Sequence, residues 1–133
     1  MNIDQYVQLE PFSLERNEKS KLFSNFIREL TNYHYNNNIY YKNLLDNINY
    51  DFENDNLNSI PFVPTRLFKN FNLMSIKESE VFKILQSSGT SQNGRSKIFL
   101  DKNNAKLLTK ILSKIVSFFI GDERMPLLII DSN

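Results

Sequence analysis

Between Leu85 and Asp101 the chain reads LQSSGTSQNGRSKIFLD, and this stretch concentrates its chemistry. Five hydroxyl side chains (Ser87, Ser88, Thr90, Ser91, Ser96), two glycines (Gly89, Gly94) and two cations (Arg95, Lys97) fall within eleven positions. A loop of small residues can turn several backbone N–H groups and hydroxyls toward one point, and glycine lets the backbone approach a ligand closely. A cation at its exit adds positive charge. The chemistry that fits is a cradle for a polyphosphate.

Such a loop needs rigid flanks. Val81-Phe82-Lys83-Ile84-Leu85 before it and Ile98-Phe99-Leu100 after it read as two strands. Asp101 is placed to cap a helix over 102–119, with Gly121 as its C-terminal cap. The face formed by Leu107, Leu108, Ile111, Leu112, Ile115, Val116 and Phe119 is broad, and is expected to be buried against a sheet. Leu127-Leu128-Ile129-Ile130 is a continuous apolar run suited to a parallel strand, so strand, right-handed crossover helix and strand are spelled out in order. Asp131-Ser132-Asn133 would then lie at a carboxyl strand end, where open α/β sheets bind ligands. A chain that stops there looks unfinished.

Upstream, Leu22, Phe23, Phe26, Ile27 and Leu30 recur at helical spacing, with Ser13 as the expected start and Asn36-Asn37-Asn38 as the stop. A second helical stretch follows over 39–45, then a polar segment read as loop. Pro61 and Pro64 impose an extended run that leads into a short helix through Lys69. Leu73–Ile76 is read as a short strand, and Glu78–Glu80 as an acidic turn. The expected division is a helical region over 1–58 and the start of an α/β nucleotide-binding domain over 59–133.

Composition bounds the possibilities. The 133 residues suit one domain or part of one, and 41% hydrophobic with 13% aromatic content argues against wholesale disorder. A net charge of +1 gives no bulk electrostatic case for nucleic acid or an anionic membrane. Cysteine is absent, which removes disulfides, thiolate metal sites and cysteine nucleophiles from these residues, and the lone His34 removes multi-histidine metal sites. The N-terminus lacks a signal-peptide pattern and no apolar run nears ~20 residues, so no membrane span is expected and a cytoplasmic location is.

Gly89–Ser96 lies one residue away from the nucleotide P-loop pattern, with Arg95 at the usual lysine position. A P-loop must open directly into a helix, whereas a strand follows here, and arginine does not replace that lysine's compact charge. Ser87-Ser88-Gly89-Thr90-Ser91 instead resembles the phosphate loop of the adenylate-forming ligases. His34-Tyr35-Asn36-Asn37, Ile60–Lys69, Ser96–Asp101 and the closing Leu-Leu-Ile-Ile-Asp-Ser extend the likeness. Together, in this order, they resemble the N-terminal part of the acyl-protein synthetases, the LuxE-type long-chain-fatty-acid ligases, from about residue 20 onward.

The resemblance implies an α/β fold: a helical N-terminal segment leading into part of a mixed or parallel sheet with a crossover helix, an incomplete adenylate-forming N-terminal domain. It implies ATP with Mg²⁺ as cofactors, a fatty acid substrate, and an acyl-acceptor protein, reductase-like or carrier, as partner. The acid would attack the α-phosphorus of ATP to give acyl-AMP, and the acyl group would pass through a cysteine to protein. Ser87, Ser88, Gly89, Thr90, Ser91, Gly94 and Lys97 would hold the ATP phosphates, with Arg95 as a second candidate cation. The sequence departs from the ligase loop in the insertion Ser-Gln-Asn-Gly-Arg-Ser between Thr90 and Lys97. Family members are longer, so the acyl and adenine pockets and the acceptor cysteine are expected beyond Asn133, with no catalytic residue before it. A non-catalytic binding or scaffolding module with a degenerate phosphate loop is the alternative, and a variant P-loop protein the other. His34 is read as a polar helix-end residue; Phe62, Phe68 and Phe71 are read as core.

Overall fold

The computed structural model describes residues 3–54, 59–88, 94–124, 126 and 128. Its elements are α1 (Ile3–Gln8), α2 (Arg16–Asn37), α3 (Ile39–Asn47), α4 (Leu67–Asn70), a 3₁₀ turn at Glu78–Glu80, β1 (Lys83–Gln86), β2 (Lys97–Leu100) and α5 (Lys102–Ile120). This is an α/β chain, with five helices and one two-stranded antiparallel sheet among the described residues. Apart from Leu128, which is exposed and in no strand, the expected strand over 127–130, and with it the parallel pairing, lies outside the described residues.

The helical half is built on α2 and α3. One residue joins them: the backbone N–H of Asn38 donates to the His34 carbonyl at 2.9 Å and closes α2, while its side-chain oxygen accepts from the Tyr41 N–H at 3.1 Å and opens α3. That is the asparagine stop expected from the sequence, used twice. Leu45 on α3 is 1% exposed and forms the centre of the core, with Thr31 of α2 also buried.

α2 does not begin at Ser13. Glu15 occupies the cap position without a side-chain hydrogen bond, and the helix starts at Arg16. The cause lies in the turn before it: Phe12 adopts a left-handed φ of 65° after Pro11, which re-aims the chain. Its ring meets Phe118 and Phe119 of α5 at 5.6 and 5.8 Å. α1 was not read from the sequence as a helix. Tyr6 packs edge-on against Phe26 of α2 at 5.3 Å, and Lys114 Nζ of α5 donates to the Val7 and Gln8 carbonyls at 3.0 and 2.7 Å. A lysine on the last carbonyls satisfies groups that a helix end leaves unpaired.

Leu73–Ile76 forms no strand: it is irregular, and Ser75 bonds to side chains of α2 rather than to a neighbouring strand. The Pro64 carbonyl accepts from Leu67 N–H at 2.9 Å, so the short helix begins with a turn at Pro64 and runs one residue beyond Lys69. α5 is capped by Asp101 as expected and ends at Gly121, whose φ of 83° and ψ of 176° belong to glycine's own territory. Its apolar face is not buried, however. Leu107, Ile111 and Ile115 are half-buried, while Leu108, Leu112, Val116 and Phe119 are exposed. Two strands of four residues are too small to cover a helix of five turns.

Candidate functional site

The hydroxyl- and glycine-rich stretch is the connection of an antiparallel hairpin. Lys83 pairs with Leu100, Ile84 with Phe99, Leu85 with Ile98 and Gln86 with Lys97. The ladder extends at its open end through Phe82 N–H to the Leu100 carbonyl at 2.8 Å. At the loop end it closes with a double clasp. Ser87 N–H donates to the Ser96 carbonyl at 3.1 Å, and Ser96 N–H donates to Ser87 Oγ at 3.1 Å. The strand–loop–strand arrangement expected from the sequence is therefore present, with β1 shifted toward Gln86.

The clasp separates the candidate residues. Ser87 is tied into the neck, with its oxygen already accepting a hydrogen bond and its own proton left to donate. Ser88 leaves the neck exposed on one side; Gly94 and Arg95 return exposed on the other. Gly94 has φ +81°, and a Cβ there would meet nothing within 4 Å, so backbone conformation alone calls for glycine. Lys97, half-buried, is the first residue of β2. Gly89, Thr90 and Ser91, with Gln92 and Asn93, lie outside the described residues. Among the described residues no three His, Cys, Asp or Glu side chains gather closely enough to hold a metal ion.

Behind the hairpin lies a cavity of about 390 Å³ that sequence reasoning missed. Its walls come from α2, α3, the 61–76 segment and β2, with Leu44, Val63, Phe68 and Phe99 giving an apolar surface. The polar side is set by two consecutive residues of α2. His34 Nδ1 lies 2.7 Å from Ser75 Oγ, and the Tyr33 hydroxyl donates to the Ser75 carbonyl at 3.0 Å. Tyr33 and Tyr41 flank the imidazole edge-on at 5.4 and 6.1 Å. Loss of water around it lowers the His34 pKa, so the ring is neutral at pH 7 and can accept the serine proton. His34 thus anchors residues 73–76 to α2 rather than merely ending a helix. No local pattern in the sequence marks Ser75 as its partner, because the two are 41 positions apart.

Asp101 borders the same cavity and fixes where α5 leaves the hairpin. Its carboxylate accepts from Asn104 N–H at 2.7 Å and from Asn104 Nδ2 at 2.7 Å. The backbone bond, chiefly, holds its pKa below the ordinary carboxylate value. β2 thereby joins the loop neck at Lys97 to the cavity at Phe99 and Asp101, over about 10 Å of strand.

Comparison with known proteins bears on this arrangement. The chain is 34% identical over 74 residues to a long-chain-fatty-acid–luciferin-component ligase of Vibrio harveyi, a match covering 56% of this chain and 20% of that protein. No solved structure matches it. No described helix is long and apolar enough to cross a membrane. The profile of one family, acyl-protein synthetase, LuxE, matches residues 1–133, and the chain belongs to that family.

Proposed function

We propose that this chain is the nucleotide-phosphate-binding N-terminal part of an ATP-dependent acyl-protein synthetase, which activates a long-chain fatty acid as acyl-AMP and passes the acyl group to protein. The observation that carries this reading is the clasped hairpin: a β-neck, closed between Ser87 and Ser96, at the two ends of the hydroxyl-, glycine- and cation-bearing stretch. Family membership and the Vibrio harveyi ligase, which is named for a fatty acid substrate, support the acid and the ligase chemistry. The matched span is a fifth of that ligase, so the whole reaction is a proposal for a protein that contains this segment.

In this reading residues 1–58 form the helical support and 59–133 open the nucleotide-binding unit. The physical task of the loop is to hold the β- and γ-phosphates and to offset charge growing on departing pyrophosphate. Ser88, Gly89, Thr90, Ser91 and Gly94 supply donors or close backbone approach, Lys97 the cation, and Arg95 a second one. Ser87 acts mainly through the neck, with its remaining proton turned to the ligand. Mg²⁺ would arrive with the nucleotide and be held chiefly by its phosphates. An acceptor protein completes the proposed reaction.

The test is calorimetric titration of the chain with ATP, with and without Mg²⁺. Binding that weakens at least tenfold in Lys97→Ala supports the loop; unchanged affinity in Lys97→Ala and Arg95→Ala, or no binding at all, removes it. In a longer protein containing this segment, Thr90→Ala should slow acid-dependent pyrophosphate release by ~10²–10³-fold.

A further inference from the structure

The neck of the hairpin has two faces, and its register decides which residues share each. Side chains alternate along a strand, so Ile84 and Gln86 of β1 stand with Lys97 and Phe99 of β2 on one face. Lys83, Leu85 and Leu100 belong to the other, and line a groove with Leu108 and Leu112 of α5. That second face is where the hairpin meets its own helix. The first carries Phe99 in the cavity wall and, two residues nearer the loop, Lys97.

Gln86–Lys97 is the last rung before the clasp. Ser87 N–H donates to the carbonyl of Ser96, its counterpart in the same register. Rungs of an antiparallel ladder alternate, so Gln86–Lys97 is of the kind that shares no backbone bond and whose side chains stand closest. Among the described residues neither side chain has a hydrogen-bond or ionic partner, although Lys97 is half-buried. Asp101, farther along the same side of the chain, turns both carboxylate oxygens to Asn104. An ammonium and a carboxamide thus lie side by side at the neck with their protons unused, and the complement of such a pair is an anion with several oxygens.

We propose that Gln86 is a further phosphate-binding residue. Its carboxamide N–H groups donate to an oxygen of the polyphosphate whose charge Lys97 meets, on the face of the neck turned away from α5. This rests on the polyphosphate role of the loop and deepens it, by choosing the face and the cation. The ladder fixes Lys97 beside Gln86, whereas Arg95 lies beyond the clasp. The placement follows from register and holds whatever packs over the neck.

Calorimetric titration of the chain with ATP and Mg²⁺ tests this. Gln86→Leu removes the donors without changing charge at an exposed strand position, and binding should weaken about tenfold. Gln86→Glu should weaken it further, on the order of 10²-fold, while its melting temperature stays at or above the parent's, because a carboxylate opposite Lys97 makes a favourable cross-strand pair. A purely structural role would move affinity and melting temperature together. Gln86→Lys should tighten binding and steepen its loss with salt. Lys83→Glu, a larger charge change on the α5 face, should alter affinity less than about threefold at physiological salt. Inorganic triphosphate should follow the same order of variants, since the neck meets phosphate and not the base. Binding that is weakened by Lys97→Ala but unchanged in Gln86→Leu, equal losses from Gln86→Glu and Lys83→Glu, or a different order with triphosphate would overturn this inference and leave the loop's role standing. No binding by the parent chain would remove both.

Discussion

Replacing Asp101 by alanine tests how the hairpin and α5 are joined. The carboxylate accepts two hydrogen bonds of 2.7 Å from Asn104, one of them from a backbone N–H that the helix itself cannot satisfy. Loss of such a cap costs ~1 kcal/mol, and loss of a negative charge at a helix N-terminus a further ~0.3–1 kcal/mol. Asp101→Ala should therefore destabilise the chain by about 1–2 kcal/mol. For 133 residues the unfolding entropy makes that about 4–7 °C in melting temperature. Asp101→Asn keeps an acceptor and should lose only the charge contribution. The bonds from Asn104 depress the folded-state carboxyl pKa, so the unfolded chain takes up the proton first as pH falls. The stabilisation is full above the unfolded carboxylate pKa and is lost as pH drops through the lower folded value. Urea melts of the three proteins at neutral and acid pH read this directly. Equal stability of Asp101→Ala and the parent at pH 7, or a difference that stays constant below the carboxylate range, would refute the capping argument.

The remaining predictions concern other joints. Burial lowers the His34 pKa, so the stability carried by the neutral ring is complete above pH ~6.5 and is lost as pH falls through the depressed folded value. His34→Gln should flatten that part of the stability–pH curve, whereas Ser75→Ala should leave its slope, because the cause is burial and a protonated ring can still donate to Ser75 Oγ. Lys114→Met should cost about 1–2 kcal/mol and raise hydrogen exchange selectively in α1, since Lys114 caps the Val7 and Gln8 carbonyls; uniform exchange changes would contradict that assignment. Gly121→Ala should destabilise by about 1–3 kcal/mol from backbone conformation alone, because a Cβ there would meet nothing within 4 Å; a neutral result in thermal melts would show that the helix end re-forms.

Most of what positions the loop is local chemistry, which explains why it could be read in advance. The helical spacing of Leu22–Leu30, the asparagine at position 38, Asp101 and Gly121 each act within four residues of where they stand, and each element appears where those signals put it. Errors arose where distant groups decide. Ile3–Gln8 is helical where distant groups meet it: Tyr6 packs on Phe26, Val7 is buried, and Lys114 bonds the Val7 and Gln8 carbonyls. Leu73–Ile76 has strand-like composition, but its hydrogen bonds go to Tyr33 and His34. The broad face of α5 suggested full burial, yet hydrophobic spacing shows only that a face exists, not whether enough sheet is present to cover it. The cavity was invisible for the same reason, since its walls come from four separate parts of the chain. Of the candidate phosphate-binding residues, the sequence placed the hairpin that carries them; the clasp by Ser87 needed coordinates.

Asn38 has a consequence for how the fold assembles. With a single residue ending α2 and starting α3, the two helices share a hinge pin and have no slack between them. Neither can shorten, slip or swing by itself without disturbing the residue that caps the other. Inserting even one residue there would turn α3 through roughly a quarter of a revolution and carry Leu45 out of the core. The corner at position 38 is thus a built-in ruler, and everything docked against it inherits its angle.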